Sequence, residues 1–168
     1  MQAPFSLRLT TKLVTFFGLI GLFVCLGCSS ELTDPADIGA IGSAGGVVRP
    51  EIGSSVLEIP PQALDNSLIL TIKEAPVTDP PANHITLSDA ISVEPAPVAF
   101  GAQQFAFLTV PLKIDAVPAN ANLLNLKVFR KTDKGWEAHE QFSIKEHDRV
   151  AIVWLQETGT YAAFLPKP

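Results

Sequence analysis

A chain of 168 residues holds one domain with a core of its own plus an appendage. Charged residues make up 17% of it, and 11 glycines and 14 prolines punctuate it, a balance that suits many short strands and turns and argues against a helical bundle. The formal net charge is −5, and beyond residue 28 there are 10 basic against 17 acidic residues with no basic run, which argues against nucleic acid as a partner.

The N-terminal stretch reads as an address. Arg8 and Lys12 precede an apolar run of 14 residues at 13–26, and no acidic residue occurs before position 28. A bilayer span needs about 20 apolar residues, so the pattern is that of a secretory signal over residues 1–27. Both cysteines, Cys25 and Cys28, lie in this stretch, which leaves the rest of the chain without a disulfide framework. Leu26-Gly27-Cys28 at the end of the run resembles a bacterial lipobox, with Cys25 where that motif prefers leucine. The resemblance implies cleavage before Cys28, a diacylglyceryl thioether on its sulfur and an acyl chain on its amino group. Two or more chains hold a protein stably at a membrane, at about 0.8 kcal/mol per buried CH₂. An ordinary signal peptide and an uncleaved anchor are the alternatives.

Ser29 after the cysteine resembles outer-membrane sorting, so the expected location is the envelope, lipid-anchored, at the outer membrane of a Gram-negative bacterium. Residues 28–39 carry Ser, Glu, Thr, Asp and Pro without apolar periodicity and read as the acylated cysteine and a flexible tether. Ten extended residues reach at most roughly 33–36 Å, which keeps the domain at 40–168 close to the membrane.

Within that domain, Gly45-Gly46 predicts a turn before a strand at Val47-Val48. Leu57 and Ile59 share one face of the next strand, which Pro60-Pro61 stops because neither proline can donate to a ladder. Residues 61–64 fit a single helical turn, with Leu64 plugging one end of the core. Leu68, Leu70 and Ile72 alternate with Ile69, Thr71 and Lys73, the period of a half-buried strand. A proline-rich loop follows at 77–83, then a short strand around Ile91 and Val93 closed by Pro95 and Pro97.

Residues 105–114 carry the strongest alternation, with Leu108, Val110, Leu112 and Ile114 opposite Phe107, Thr109, Pro111 and Lys113. Pro111 lacks an N–H, so an edge position or a bulge is expected there. Leu124, Leu126 and Val128 predict the next strand, residues 131–135 a hairpin loop, and 136–139 its return. Residues 150–155 are apolar on both faces, as in a central strand, and Gly159 opens the last strand at 160–164. About nine short strands without an amphipathic helix predict an all-β fold, an antiparallel β-sandwich.

The series Gly45-Gly-Val-Val, Leu57-Glu-Ile-Pro-Pro-Gln-Ala-Leu64 and Leu70-Thr-Ile72 resembles the ZU-five domain of zonula occludens proteins, Unc-type netrin receptors and ankyrins. Ile91-Ser-Val-Glu-Pro95 and Val110-Pro-Leu112 resemble its later segments. Val128-Phe-Arg130, Gly135-Trp-Glu137 and Thr160-Tyr-Ala162 are similar to the ending seen in bacterial lipoproteins with such domains. The resemblance covers about residues 40–166 and implies a binding module. Relatives that cut themselves do so at His-Phe-Ser, where this chain has Glu157-Thr158-Gly159, so self-cleavage is not implied.

Other chemistry is sparse. His139-Glu140 and Glu146-His147-Asp148 could meet across a hairpin, but their spacing matches no zinc or calcium pattern, and Asp115, Asp133 and Asp148 read as scattered loop carboxylates. Ser54-Ser55 and the glycine pair lack an accompanying base or phosphate-loop lysine. Of the two tryptophans, Trp136 beside a hairpin is the better candidate for a sugar platform than Trp154. Phe107 and Phe129 on outer faces could mark a contact patch, lie under a loop or sit in the second sheet's interface. No catalytic, cofactor-binding or metal-binding residue is assigned, and Cys28, as the lipidation site, is the one functional residue. The expected function is a non-catalytic interaction or structural module in the envelope, its partner another envelope protein or a cell-wall polymer. The alternative is a carbohydrate or cell-wall binding module.

Overall fold

Thirteen strands form among the residues described by the computed structural model, which are 40–101 and 104–168. The expected signal peptide, Cys28 and the tether lie outside them. Five strands make one sheet in the order β11 (Phe142–Lys145), β12 (Val150–Leu155), β8 (Ala106–Pro111), β3 (Val56–Ile59) and β2 (Gly46–Val48). Six make the other: β10 (Gly135–His139), β9 (Lys127–Thr132), β13 (Thr160–Pro166), β7 (Ala90–Glu94) and β5 (Thr71–Ala75), with β6 (His84–Thr86) also paired to β13. A two-stranded ribbon joins β1 (Ala40–Ile41) to β4 (Leu68–Ile69). Every pairing is antiparallel.

The fold is therefore all-β, as the alternation predicted, and both large sheets feed one buried core. Leu57, Leu108, Val110 and Val153 come from the five-stranded sheet, and Ile72, Val93, Val128, Tyr161 and Leu165 from the six-stranded one. Strand periodicity of two turns each of these residues to one side, and two such faces packed together make a β-sandwich core.

Strand number exceeds the expected nine because β1, β6 and β11 carry too little alternation to stand out, and because residues 68–73 make two strands. Leu70 sits between β4 and β5, buried, where the chain leaves the ribbon for the six-stranded sheet. Residues 61–64 make an irregular turn rather than a helical one, with Gln62 at φ +65°, while Leu64 is buried as expected. The strand expected through Leu124 begins only at Lys127. Leu123–Asn125 forms a 3₁₀ turn instead, because the Asn122 side chain accepts from the Leu124 N–H at 2.9 Å and caps it.

Pro111 is at neither an edge nor a bulge: β8 is the middle strand of its sheet. It is tolerated because it is the last residue of β8. Its pairing is with Val150 of β12, while β3 reaches only as far as Thr109 opposite Val56. Leu112 donates its N–H to Arg149 on the β12 side at 2.8 Å, so the neighbouring proline nitrogen faces the side where β3 has ended. The β9–β10 hairpin is tighter than expected. Thr132 pairs directly with Gly135, leaving Asp133 and Lys134 as a two-residue turn.

Candidate binding surface

The two outer faces of the sandwich are finished differently. On the six-stranded sheet, Phe129 of β9 and Ala162 and Phe164 of β13 form a second buried cluster, with Val77 and Trp136 packed on it. Phe129 and Phe164 meet edge to face at 5.2 Å, and Trp136 and Phe164 at 5.3 Å. The proline-rich loop is pinned across this cluster through Thr78. Its carbonyl accepts from Trp136 Nε1 at 3.2 Å and its hydroxyl from Lys131 Nζ at 2.9 Å. The Lys131 ammonium also lies 5.6 Å from the Trp136 ring centroid, a cation–π distance. Phe129, only 8% exposed, thus lies under a loop and forms no contact patch. Trp136 is committed to the same loop and presents no free platform.

Among the described residues nothing covers the outer face of the five-stranded sheet. Val47, Glu58, Phe107 and Trp154 stand opposite one another across β2, β3, β8 and β12, one residue from each strand. Val47 is 53%, Phe107 37% and Trp154 40% exposed. Direct cross-strand placement of two aromatic side chains also stabilises the sheet itself. The next row, Val56, Thr109 and Ile152, is half-buried. Beside Phe107, a shallow hollow of about 340 Å³ runs over Val47 and Glu58 to Pro60 and Pro61. That is the small end of the ~300–1,000 Å³ typical of ligand pockets.

Phe107 was legible in the sequence because Leu108 and Val110 assign it to the outer side of β8. Its place beside a hairpin favours Trp136 in the sequence, and residues 150–155 are apolar at every position, so alternation does not say on which side Trp154 faces out. The signal that could have found it is register: Leu155 and Val153 are inward, which leaves Trp154 outward beside Phe107.

The polar groups singled out in the sequence do not assemble. Among the described residues no three His, Cys, Asp or Glu side chains lie close enough to share a metal ion. His139 ends β10, with its Nε2 bonded to the Trp154 carbonyl at 3.0 Å and its ring edge-on to Tyr161 at 5.4 Å. Glu146, His147 and Asp148 lie in the turn between β11 and β12. Asp115 is in a 3₁₀ turn and Asp133 in the β9–β10 turn. Ser54 and Ser55 donate their backbone N–H groups to Glu74 Oε1 at 2.9 and 2.7 Å, which ties the start of β3 to β5.

At Glu157-Thr158-Gly159 the hydroxyl is structural. Thr158 is fully buried; its Oγ1 donates to the Pro95 carbonyl at 2.6 Å and accepts from the Val98 N–H at 2.8 Å. Glu157 pairs with Arg130, and its carbonyl accepts from the Tyr161 hydroxyl at 2.9 Å. Burial pushes the Tyr161 phenol up to about 12; the Arg130 charge opposes this and the Glu157 charge adds to it. No helix among the described residues is long and apolar enough to cross a membrane. Comparison with known proteins finds no family model that matches the chain and no curated protein that matches it.

Proposed function

We propose that the chain is a lipid-anchored cell-envelope protein displaying a ZU-five-like β-sandwich as a non-catalytic interaction or structural module, with the outer face of the five-stranded sheet as its contact surface. The observation that carries the reading is the exposed aromatic pair Phe107 and Trp154, aligned with Val47 on a face that the described residues leave uncovered while they cover the equivalent aromatics of the other sheet. Large apolar side chains grouped on one face mark interaction sites more often than scattered ones do. The commitment of Thr158 and His139 to structural hydrogen bonds favours binding over catalysis. The anchor rests on Leu26-Gly27-Cys28-Ser29, and the domain family on the likeness of residues 45–72 to the ZU-five pattern. The partner is another envelope component, a protein or a cell-wall polymer.

Two measurements test this. Cys28→Ala should move the protein from the membrane fraction to the soluble fraction; a variant that still sediments with membranes defeats the anchor. A photo-crosslinking amino acid at position 154 should capture an envelope component in cells, whereas one at position 136 should not. Equal capture from both positions would remove the assignment of the surface.

A further inference from the structure

Two proline-bearing loops of the domain are held down by different means. The loop after β7, residues 95–101, is sewn in through its backbone. The Val98 N–H donates to Thr158 Oγ1 at 2.8 Å, the Val98 carbonyl accepts from the Thr158 N–H at 2.8 Å, and the Phe100 N–H donates to the Gln156 carbonyl at 2.8 Å. Phe100 itself is buried. Residues 76–83, which cross the aromatic cluster of the six-stranded sheet, have nothing comparable. Pro76, Pro80 and Pro81 carry no N–H. Among the described residues, no backbone–backbone hydrogen bond reaches residues 76–80. Those that follow, from the His84 N–H to the Pro81 carbonyl at 3.2 Å and from the Lys167 N–H to the Asn83 carbonyl at 2.8 Å, hold only the far end.

Side chains alone hold the middle. Val77 packs on the cluster, and Thr78 accepts from Trp136 Nε1 and from Lys131 Nζ, both at the exposed surface. The ends are fixed in the sheet, with Ala75 paired to Ala90 and His84 to Pro166. Asp79 at φ +51° and Asn83 at φ +60° stand in the left-handed region, which Asp and Asn adopt more readily than other non-glycine residues. Few buried apolar contacts and no ladder between fixed ends are the marks of a segment that opens locally. A few loop residues that absorb a backbone rotation serve as its hinges. We infer that residues 76–83 form a detachable strap, which lifts off the six-stranded sheet while the sandwich stays folded and uncovers Phe129 and Trp136. Lifting gives the domain a second outer face with exposed aromatic side chains, so the strap sets how much aromatic surface the domain presents. The device depends neither on the membrane anchor nor on the identity of a partner.

The chain has only two tryptophans, so Trp154→Phe leaves Trp136 as the sole indole reporter of the strap. In the full chain in detergent, urea should move the Trp136 emission to the red in a first transition of small slope. A second, steeper transition at higher urea should then carry the loss of the sheets, read by circular dichroism. Val77→Ala, which removes most of the packed side chain, should favour opening about tenfold and lower the first midpoint while leaving the second in place. One coincident transition by both probes overturns the strap as an independent unit. A first transition that Val77→Ala does not move assigns the early motion to the β9–β10 hairpin that carries Trp136, and overturns the inference equally.

Discussion

Thr158 shows how one buried side chain holds a loop. Its hydroxyl is buried and spent on Pro95 and Val98, so it holds the connection after β7. Thr158→Val keeps the shape and leaves the Val98 N–H without that acceptor, and should cost about 1–3 kcal/mol, read as a lower urea midpoint at unchanged slope. Thr158→Ser should recover most of it. Tyr161, the only tyrosine, makes a second residue-scale prediction. Its phenol titrates at about 12 in the fold, against an ordinary value of 10.0 once unfolded. The unfolded chain therefore releases this proton first. The associated stability is fully present below pH 10 and is lost as the pH rises from there to about 12, a loss of roughly 2–3 kcal/mol. Tyrosinate absorbance in native protein should rise near pH 12, and in urea near pH 10. Titration near 10 in both would contradict the burial assigned to it.

Among the elements, turns with similar residues carry different constraints. Gly45 has φ +73°, and a Cβ there would lie 2.3 Å from the Ile59 carbonyl oxygen, where the chain crosses the Pro60-Pro61 end of β3. Gly135 has φ +111° in the β9–β10 hairpin but faces open space within 4 Å. Gly135→Ala should cost only backbone strain, about 1–2 kcal/mol, while Gly45→Ala adds a clash with backbone and should cost about 3 kcal/mol or more. Thermal unfolding of the two variants ranks them directly. Equal losses would show that backbone conformation alone governs both turns. Pro111 teaches the same lesson for strands. What matters is not whether its strand is central but whether a partner carbonyl needs that residue's own N–H, and β3 ends before one does.

For the molecule as a whole, the contrast is between the shared core and the open sheet face. Leu108 and Trp154 belong to neighbouring strands of one sheet, yet Leu108 is fully buried and Trp154 is 40% exposed. Leu108→Ala should destabilise by about 2–5 kcal/mol. Trp154→Ala should cost about 1 kcal/mol or less, the scale of a cross-strand pair, as measured by urea unfolding. A large loss from Trp154→Ala would make that residue part of the scaffold and would remove the physical basis for a surface built to meet a partner. Fold class was legible because alternation at Leu57/Ile59, Leu108/Val110 and Ile91/Val93 reports burial residue by residue, and a sandwich core is the sum of such strands. The open face was only half legible. Phe107 was readable from its own strand, but Phe129 looked equivalent to it, and Trp136 looked better than Trp154.

The sequence by itself determined the all-β class and the inward residues of its best-patterned strands. Those are local properties, set by a period of two and by the missing N–H of proline. Tertiary structure alone decided which outer aromatics are covered. Coverage depends on where a distant loop comes to rest: Thr78 pins the proline-rich segment beside Trp136 and Lys131, 58 and 53 residues away along the chain, and nothing equivalent falls across Phe107 and Trp154 among the described residues. No periodicity records such a meeting, because it is fixed by strand order and register rather than by the residues near either end.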